Sequence, residues 1–246
     1  MLCGQKNPTN KNRQGVLSLM DIKSAVILIT SAGSLLGGTL ATHFASLGAK
    51  IVLCDQDMNL LNDTYHRCKT ISDDVYYFKV EDYSLGSIHQ LFDFVDDKFQ
   101  RSPDVLVNNW PNAPLPGLIG NQSAEQFSHQ LTTLASTLFG FGQASAERMC
   151  LEKKHGVIVN VISVDDRHDL EGFENASSIV TGFTQSWAKE LTPFNIRVGG
   201  VVPALSRSSK NRDYHWPQVR DELIRNTEYI VANDYFSGRI MAAEAS

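Results

Sequence analysis

Ser163 closes an apolar run, Gly156-Val-Ile-Val-Asn-Val-Ile-Ser163, and the chain from there to Ala188 contains neither tyrosine nor lysine. A serine hydroxyl does covalent chemistry only beside a base that takes its proton. No histidine is paired with Ser163 in the sequence, so its plain reading is a local hydrogen-bonding group. The charged groups that follow are concentrated in Asp165-Asp-Arg-His-Asp169. Three readings of that loop stay open: an acid–base pair on His168, a metal site from Asp165, Asp166 and His168, or a solvated charged loop. The spacing matches no recognised ligand pattern. The solvated loop is the favoured reading, and no metal is expected.

A second candidate site lies near the other end. The apolar run Ala25-Val-Ile-Leu-Ile-Thr30 leads into the small-residue turn Ser31-Ala-Gly33-Ser34, followed by Leu35, Leu36 and Gly37. Where such a turn joins a parallel strand to a helix, backbone N–H groups at the helix N-terminus can cradle a pyrophosphate. Glycines there allow close approach and positive φ. Asp55 ends the next run, Lys50-Ile-Val-Leu-Cys-Asp55. An acid at that point either takes the ribose hydroxyls of a dinucleotide or caps the following turn. The sequence leaves both readings open.

The elements that must position these residues alternate along the whole chain. Strands are expected at 25–30, 50–55, 75–80, 104–108, 156–162 and 196–202. Helices are expected at 36–47, 60–71, 87–99, 124–153 and 175–191, from apolar spacing and from stops such as Gly48 and Pro193. No linker-like segment interrupts the alternation. It implies one α/β domain, a Rossmann-like doubly wound parallel sheet flanked by helices on both faces. Residues 1–21 are expected to be a flexible leader, with a partner-binding arm as the alternative, and 22–246 the domain.

Bulk composition narrows the partners. A net charge of −5 with no basic block disfavours nucleic acid. No apolar run approaches the length of a membrane span. Cys3, Cys54, Cys68 and Cys150 have no zinc or C-x-x-C spacing, which points to reduced thiols and a cytoplasmic protein.

In combination these pieces resemble the short-chain dehydrogenase/reductase family over roughly residues 22 to 242. The resemblance rests on the turn with Gly37, on Asp55, Asn108-Asn109, Ile158-Val-Asn160, Ile196-Arg-Val198 and Pro203. It implies an NAD(P)-dependent oxidoreductase ancestry. In the family frame T-G-x-x-x-G-x-G, Ser31 takes the first glycine's place, Leu35 the second's, and Gly37 keeps the third. Leu35 would crowd the phosphates, Ser31 would be strained at positive φ, and Gly37 would serve helix–strand packing. Glu81 falls where an aspartate contacts adenine. Trp110-Pro111 replaces the small pair after Asn108-Asn109, and either stacks on an adenine or, as favoured, fills cofactor space. Ser208 matches a threonine that contacts nicotinamide.

At the chemical end Ser163 matches the family serine, while Phe173, Ser177 and Leu134 stand at the Tyr, Lys and Asn positions. A phenyl ring has no proton to exchange. The resemblance therefore implies a pseudoenzyme with a scaffold, regulatory or ligand-binding role. The cofactor expectation is none or weak NAD(H), with NAD preferred over NADP because of Asp55. Relatives pair through helices that correspond to 124–153 and 175–191. A homodimer or homotetramer is therefore expected, with Leu131, Leu134, Leu138, Phe139, Phe183 and Trp187 supplying apolar surface, and an unknown protein partner remains possible. The alternatives are a divergent NAD-dependent oxidoreductase whose acid is His168 or a tyrosine from 214–235, or a lyase or epimerase using Asp165 or His168.

Overall fold

Runs of β-branched and aliphatic residues form seven parallel strands in the computed structural model, which describes residues 20–111, 115–116, 123–163, 173–204 and 216–244. They are β1 (Val26–Ile29), β2 (Lys50–Asp55), β3 (Val75–Lys79), β4 (Val105–Pro111), β5 (Gly156–Ser163), β6 (Ile196–Pro203) and β7 (Ile240–Ala243). Their order across the sheet is β3-β2-β1-β4-β5-β6-β7. The central strands β1 and β5 are buried along their whole length. That is why they read as continuous apolar runs and do not alternate.

Six helices cover the two faces: α1 (Leu35–Ser46), α2 (Met58–Lys69), α3 (Leu85–Phe99), α4 (Ala124–Glu152), α5 (Phe173–Leu191) and α6 (Trp216–Ala232). Leu40 and Phe44 of α1, Leu61 of α2 and Val219 and Leu223 of α6 share one core with alternate residues of the sheet. Phe92 of α3, Phe141 of α4 and Val180 and Trp187 of α5 build the other. The doubly wound sheet expected from the alternation is the observed fold. Its strand order reverses between β1 and β4, the point at which doubly wound sheets take ligands in a crevice beyond the carboxyl ends of the strands.

Three local expectations need correction. First, β4 does not stop at Asn108. It runs on through Trp110 and Pro111, which pair with Ile162 and Ser163 of β5; proline is tolerated because it ends the strand. Second, no helix was expected after residue 191, yet α6 spans Trp216–Ala232, and its buried face, Val219, Leu223, Ile224, Ile230 and Val231, packs on the sheet. Third, α1, α2, α3 and α5 each begin one or two residues early. In α1, α2 and α3 the residues Ser34, Asp57 and Ser84 cap the backbone N–H groups of the first turn.

Candidate functional site: a crevice held by Asn109

The crevice is built around one amide. Asn109, near the end of β4, is almost fully buried. Its Nδ2 donates to the Ser31 carbonyl at 3.3 Å and to Ser34 Oγ at 3.0 Å. Its Oδ1 accepts from Ser163 Oγ at 3.3 Å. Its backbone N–H donates to Thr30 Oγ1 at 2.9 Å. One side chain thus joins the β1–α1 turn to the serine at the end of β5. The sequence pattern pointed to Asn108. That residue instead braces the fold: its Nδ2 donates to the Leu138 carbonyl in α4 at 3.0 Å and to Asn160 Oδ1 at 3.3 Å.

The turn itself is closed by its own atoms. Ser34 caps α1, accepting from Gly37 N–H through Oγ while donating to the Ser31 carbonyl at 2.7 Å. Ser31 has φ +47°, the left-handed region anticipated for the first glycine of the motif. Gly37 is packed tightly: a Cβ there would stand 2.3 Å from the Ser31 carbonyl oxygen. Leu35 is the first residue of α1 and its side chain faces outward, 39% exposed at the lip of the turn.

Asp55 has the geometry of a turn-capping acid. Its Oδ1 accepts from Gln56 N–H at 2.7 Å and Asp57 N–H at 3.1 Å, and its Oδ2 from Gly33 N–H at 2.8 Å. Glu81 is turned away and pairs with Lys79 at 3.0 Å on the surface. Ser208 and the Asp165–Asp169 loop lie outside the described residues.

One crevice residue was not anticipated. Tyr83, in the β3–α3 connection, lies near the Ser31 side chain and the Asp55 carboxylate. Its ring lies 5.9 Å from Phe141 and 6.4 Å from Trp110, centroid to centroid. Burial, and then the charge on Asp55 and the nearby Cys54, pushes its hydroxyl from 10.0 up to about 12, against a smaller downward pull from the Ser31 hydroxyl. The phenol therefore stays protonated in the folded protein after an unfolded chain has released its proton. The stability it carries is complete below about pH 10 and is lost as pH rises toward about 12. Urea midpoints at pH 9, 10 and 11 should fall less steeply for Tyr83→Phe than for the parent. Equal slopes would mean that the phenol does not contribute.

At the chemical end Ser163 is buried and donates to an amide, which is not a base. Phe173 is the first residue of α5 and has no exposed surface. Ser177 is half-buried one turn further on. The lysine of α5, Lys189, sits in its last turn, about 18 Å along the helix from Ser177. Leu134 is buried in the core under α4. Among the described residues no group of three histidine, cysteine or acidic side chains is placed to hold a metal, and no helix is long and apolar enough to cross a membrane.

A parallel sheet of this order, with a small-residue turn after β1, an acid at the end of β2 and an Asn-Asn pair on β4, defines a doubly wound, Rossmann-like α/β protein. A family model described as short chain dehydrogenase matches residues 25–216, and the chain belongs to that family. It is 30% identical over 189 residues to a 3-oxoacyl-[acyl-carrier-protein] reductase of Thermotoga maritima, covering 75% of each protein. It is 27% identical over 201 residues to sorbitol-6-phosphate 2-dehydrogenase of Klebsiella pneumoniae, covering 76% of this chain and 70% of that protein. A 3-ketoacyl-(acyl-carrier-protein) reductase of Brucella melitensis, solved in complex with NADH, superposes with a TM-score of 0.72 at 19% identity, over 92% of this chain and 98% of that one.

Proposed function

We propose that this chain is a non-catalytic member of the family, one that has given up hydride transfer and serves as a self-associating scaffold or regulatory protein. The observation that carries the reading is Phe173. It opens α5 at the position that corresponds to the family's proton donor, and it is buried among apolar side chains. A hydrocarbon ring offers no titratable proton. The nearest cation on its helix lies at the far end.

The nicotinamide dinucleotide that the family implies does not fit the crevice as it stands. The Asp55 carboxylate is already held by three backbone N–H groups, and the Tyr83 side chain stands beside the turn that would hold the pyrophosphate. Were a dinucleotide to enter, the acid at the end of β2 favours NAD over NADP by repelling a 2′-phosphate.

Self-association is assigned to the outer face of α4 and α5. Phe183 stacks on Trp187 at 5.3 Å with the rings 19° apart, and Phe139, 48% exposed, lies edge-on to Trp187 at 6.3 Å. Leu134, Leu138 and Trp187, all expected on this face, are buried in the protomer, Trp187 against Gly142 of α4, so the exposed apolar surface there is left to residues such as Phe139.

Two measurements test the reading. Purified protein with NADH or NADPH and a panel of ketones and aldehydes should turn over at the uncatalysed rate. Light scattering should give a dimer or tetramer that Phe183→Glu converts to monomer. Reduction of any carbonyl well above background would overturn the loss of catalysis, and a monomeric parent would overturn the self-association.

A further inference from the structure

Tyr83 reaches further than a loop residue needs to. It starts beyond the end of β3, yet its ring lies 6.4 Å from that of Trp110 near the end of β4, and the Ser31 side chain past the end of β1 is near its hydroxyl. The sheet order places β2 and β1 between β3 and β4. The side chain therefore lies across the carboxyl ends of the strands, toward the point where the order reverses. That is where a doubly wound sheet takes a nucleotide. Asp55, the acid that would meet a ribose, is close enough to raise the phenol's pKa.

The backbone that carries Tyr83 is pinned next to it. Asp82 Oδ1 accepts from Ser84 N–H at 3.0 Å, from Ser84 Oγ at 2.6 Å and from Ser87 Oγ at 2.6 Å. Ser84 also caps α3. The residues on either side of Tyr83 are thus fixed to the first turn of a fifteen-residue helix. The ring is aimed into the crevice by a built connection, with an edge contact to Phe141 of α4 behind it.

We propose that Tyr83 is an internal occupant of the adenosine half of the crevice, an aromatic side chain that stands where a nucleotide base would stand and shuts out adenosine ligands. Its ring supplies the aromatic surface that a base would supply to Trp110 and Phe141. The inference deepens the non-catalytic reading without depending on it. Loss of the proton donor at Phe173 stops chemistry, whereas Tyr83 stops binding.

The test uses the full chain and its Tyr83→Ala and Tyr83→Thr variants. The probes are ADP-ribose and NAD+, with nicotinamide mononucleotide, which lacks adenosine, as control. Intrinsic tryptophan fluorescence, to which Trp110 contributes, and melting temperature are the readouts. The parent should show no saturable response to ADP-ribose at millimolar concentration. The variants should bind it at least about tenfold more tightly and gain ~3–6 °C in Tm near saturation. Nicotinamide mononucleotide should not distinguish parent from variants. Should truncation at 83 prevent folding, Asp82→Asn, which loosens the connection and keeps the phenol, should give a smaller gain in the same direction. A parent that binds ADP-ribose as tightly as the variants would overturn the proposal, and so would variants that bind no better than the parent. Neither result bears on the lost proton donor, and carbonyl reduction by the parent would count against that reading alone.

Discussion

Replacing Phe173 with alanine lowers the unfolding free energy by about 3–5 kcal/mol. The phenyl ring has no exposed surface and packs in the core between the sheet and α3, α4 and α5. Its removal opens a cavity at the start of a helix that the sheet cannot collapse around. The more informative variant is Phe173→Tyr. A hydroxyl placed in that apolar setting without a partner costs about 1–3 kcal/mol. The family's tyrosine at this position is therefore expected to destabilise the protein and to yield no carbonyl reduction, alone or with Ser177→Lys. Urea unfolding reports the first effect and a nicotinamide assay the second. A Phe173→Tyr protein as stable as its parent would show that the hydroxyl finds a partner, and that the pocket has kept a place for it.

Gly37→Ala carries the second large effect, expected at about 2–4 kcal/mol. The added Cβ would lie 2.3 Å from the Ser31 carbonyl oxygen and 2.9 Å from both Asn109 Nδ2 and Ser34 Oγ. Those atoms belong to the network that closes the turn, so relief requires α1 to slide and three hydrogen bonds to stretch. The intrinsic preference of alanine over glycine in a helix, about 1 kcal/mol, works the other way and is smaller. A urea midpoint equal to the parent's, with unchanged slope, would show that α1 can shift freely. Leu35→Gly, at the exposed lip, should cost no more than about 1 kcal/mol by propensity alone.

The backbone plan was legible because it rests on periodicity and punctuation. The buried runs before Thr30 and Ser163 could only be strands covered on both faces, and Gly37 could be recognised as a packing glycine by its place in the motif. The absence of tyrosine and lysine between Ser163 and Ala188 is read directly from the chain, since no register supplies either. What escaped was set by tertiary contact. The charged surface of α6 hid its apolar stripe, although Val219, Leu223, Thr227 and Ile230 recur at helical spacing. The continuation of β4 through Trp110 and Pro111 depends on a neighbour, β5, that supplies the pairing. Tyr83 belongs to no motif. Its one sequence signal is an aromatic just past a strand's carboxyl end, beside the acids Glu81 and Asp82.

Asp55 shows how two readings of one residue separate. Its carboxylate accepts from Gln56, Asp57 and Gly33. Such bonds hold the β2–α2 turn whether or not a ribose is present. A strand-end acid can therefore persist for the turn alone, and its presence is weak support for a nucleotide.

The same reasoning applies with more force to Ser163. Through Asn109 it shares a hydrogen-bonded unit with Ser31 and Ser34, so deleting its hydroxyl would leave a buried amide oxygen short of a donor. The presence of this serine is thus accounted for by the hydrogen bonds that tie the ends of β1, β4 and β5 together, whether or not it takes part in a reaction, and a retained motif residue reports mechanical dependence as readily as chemistry.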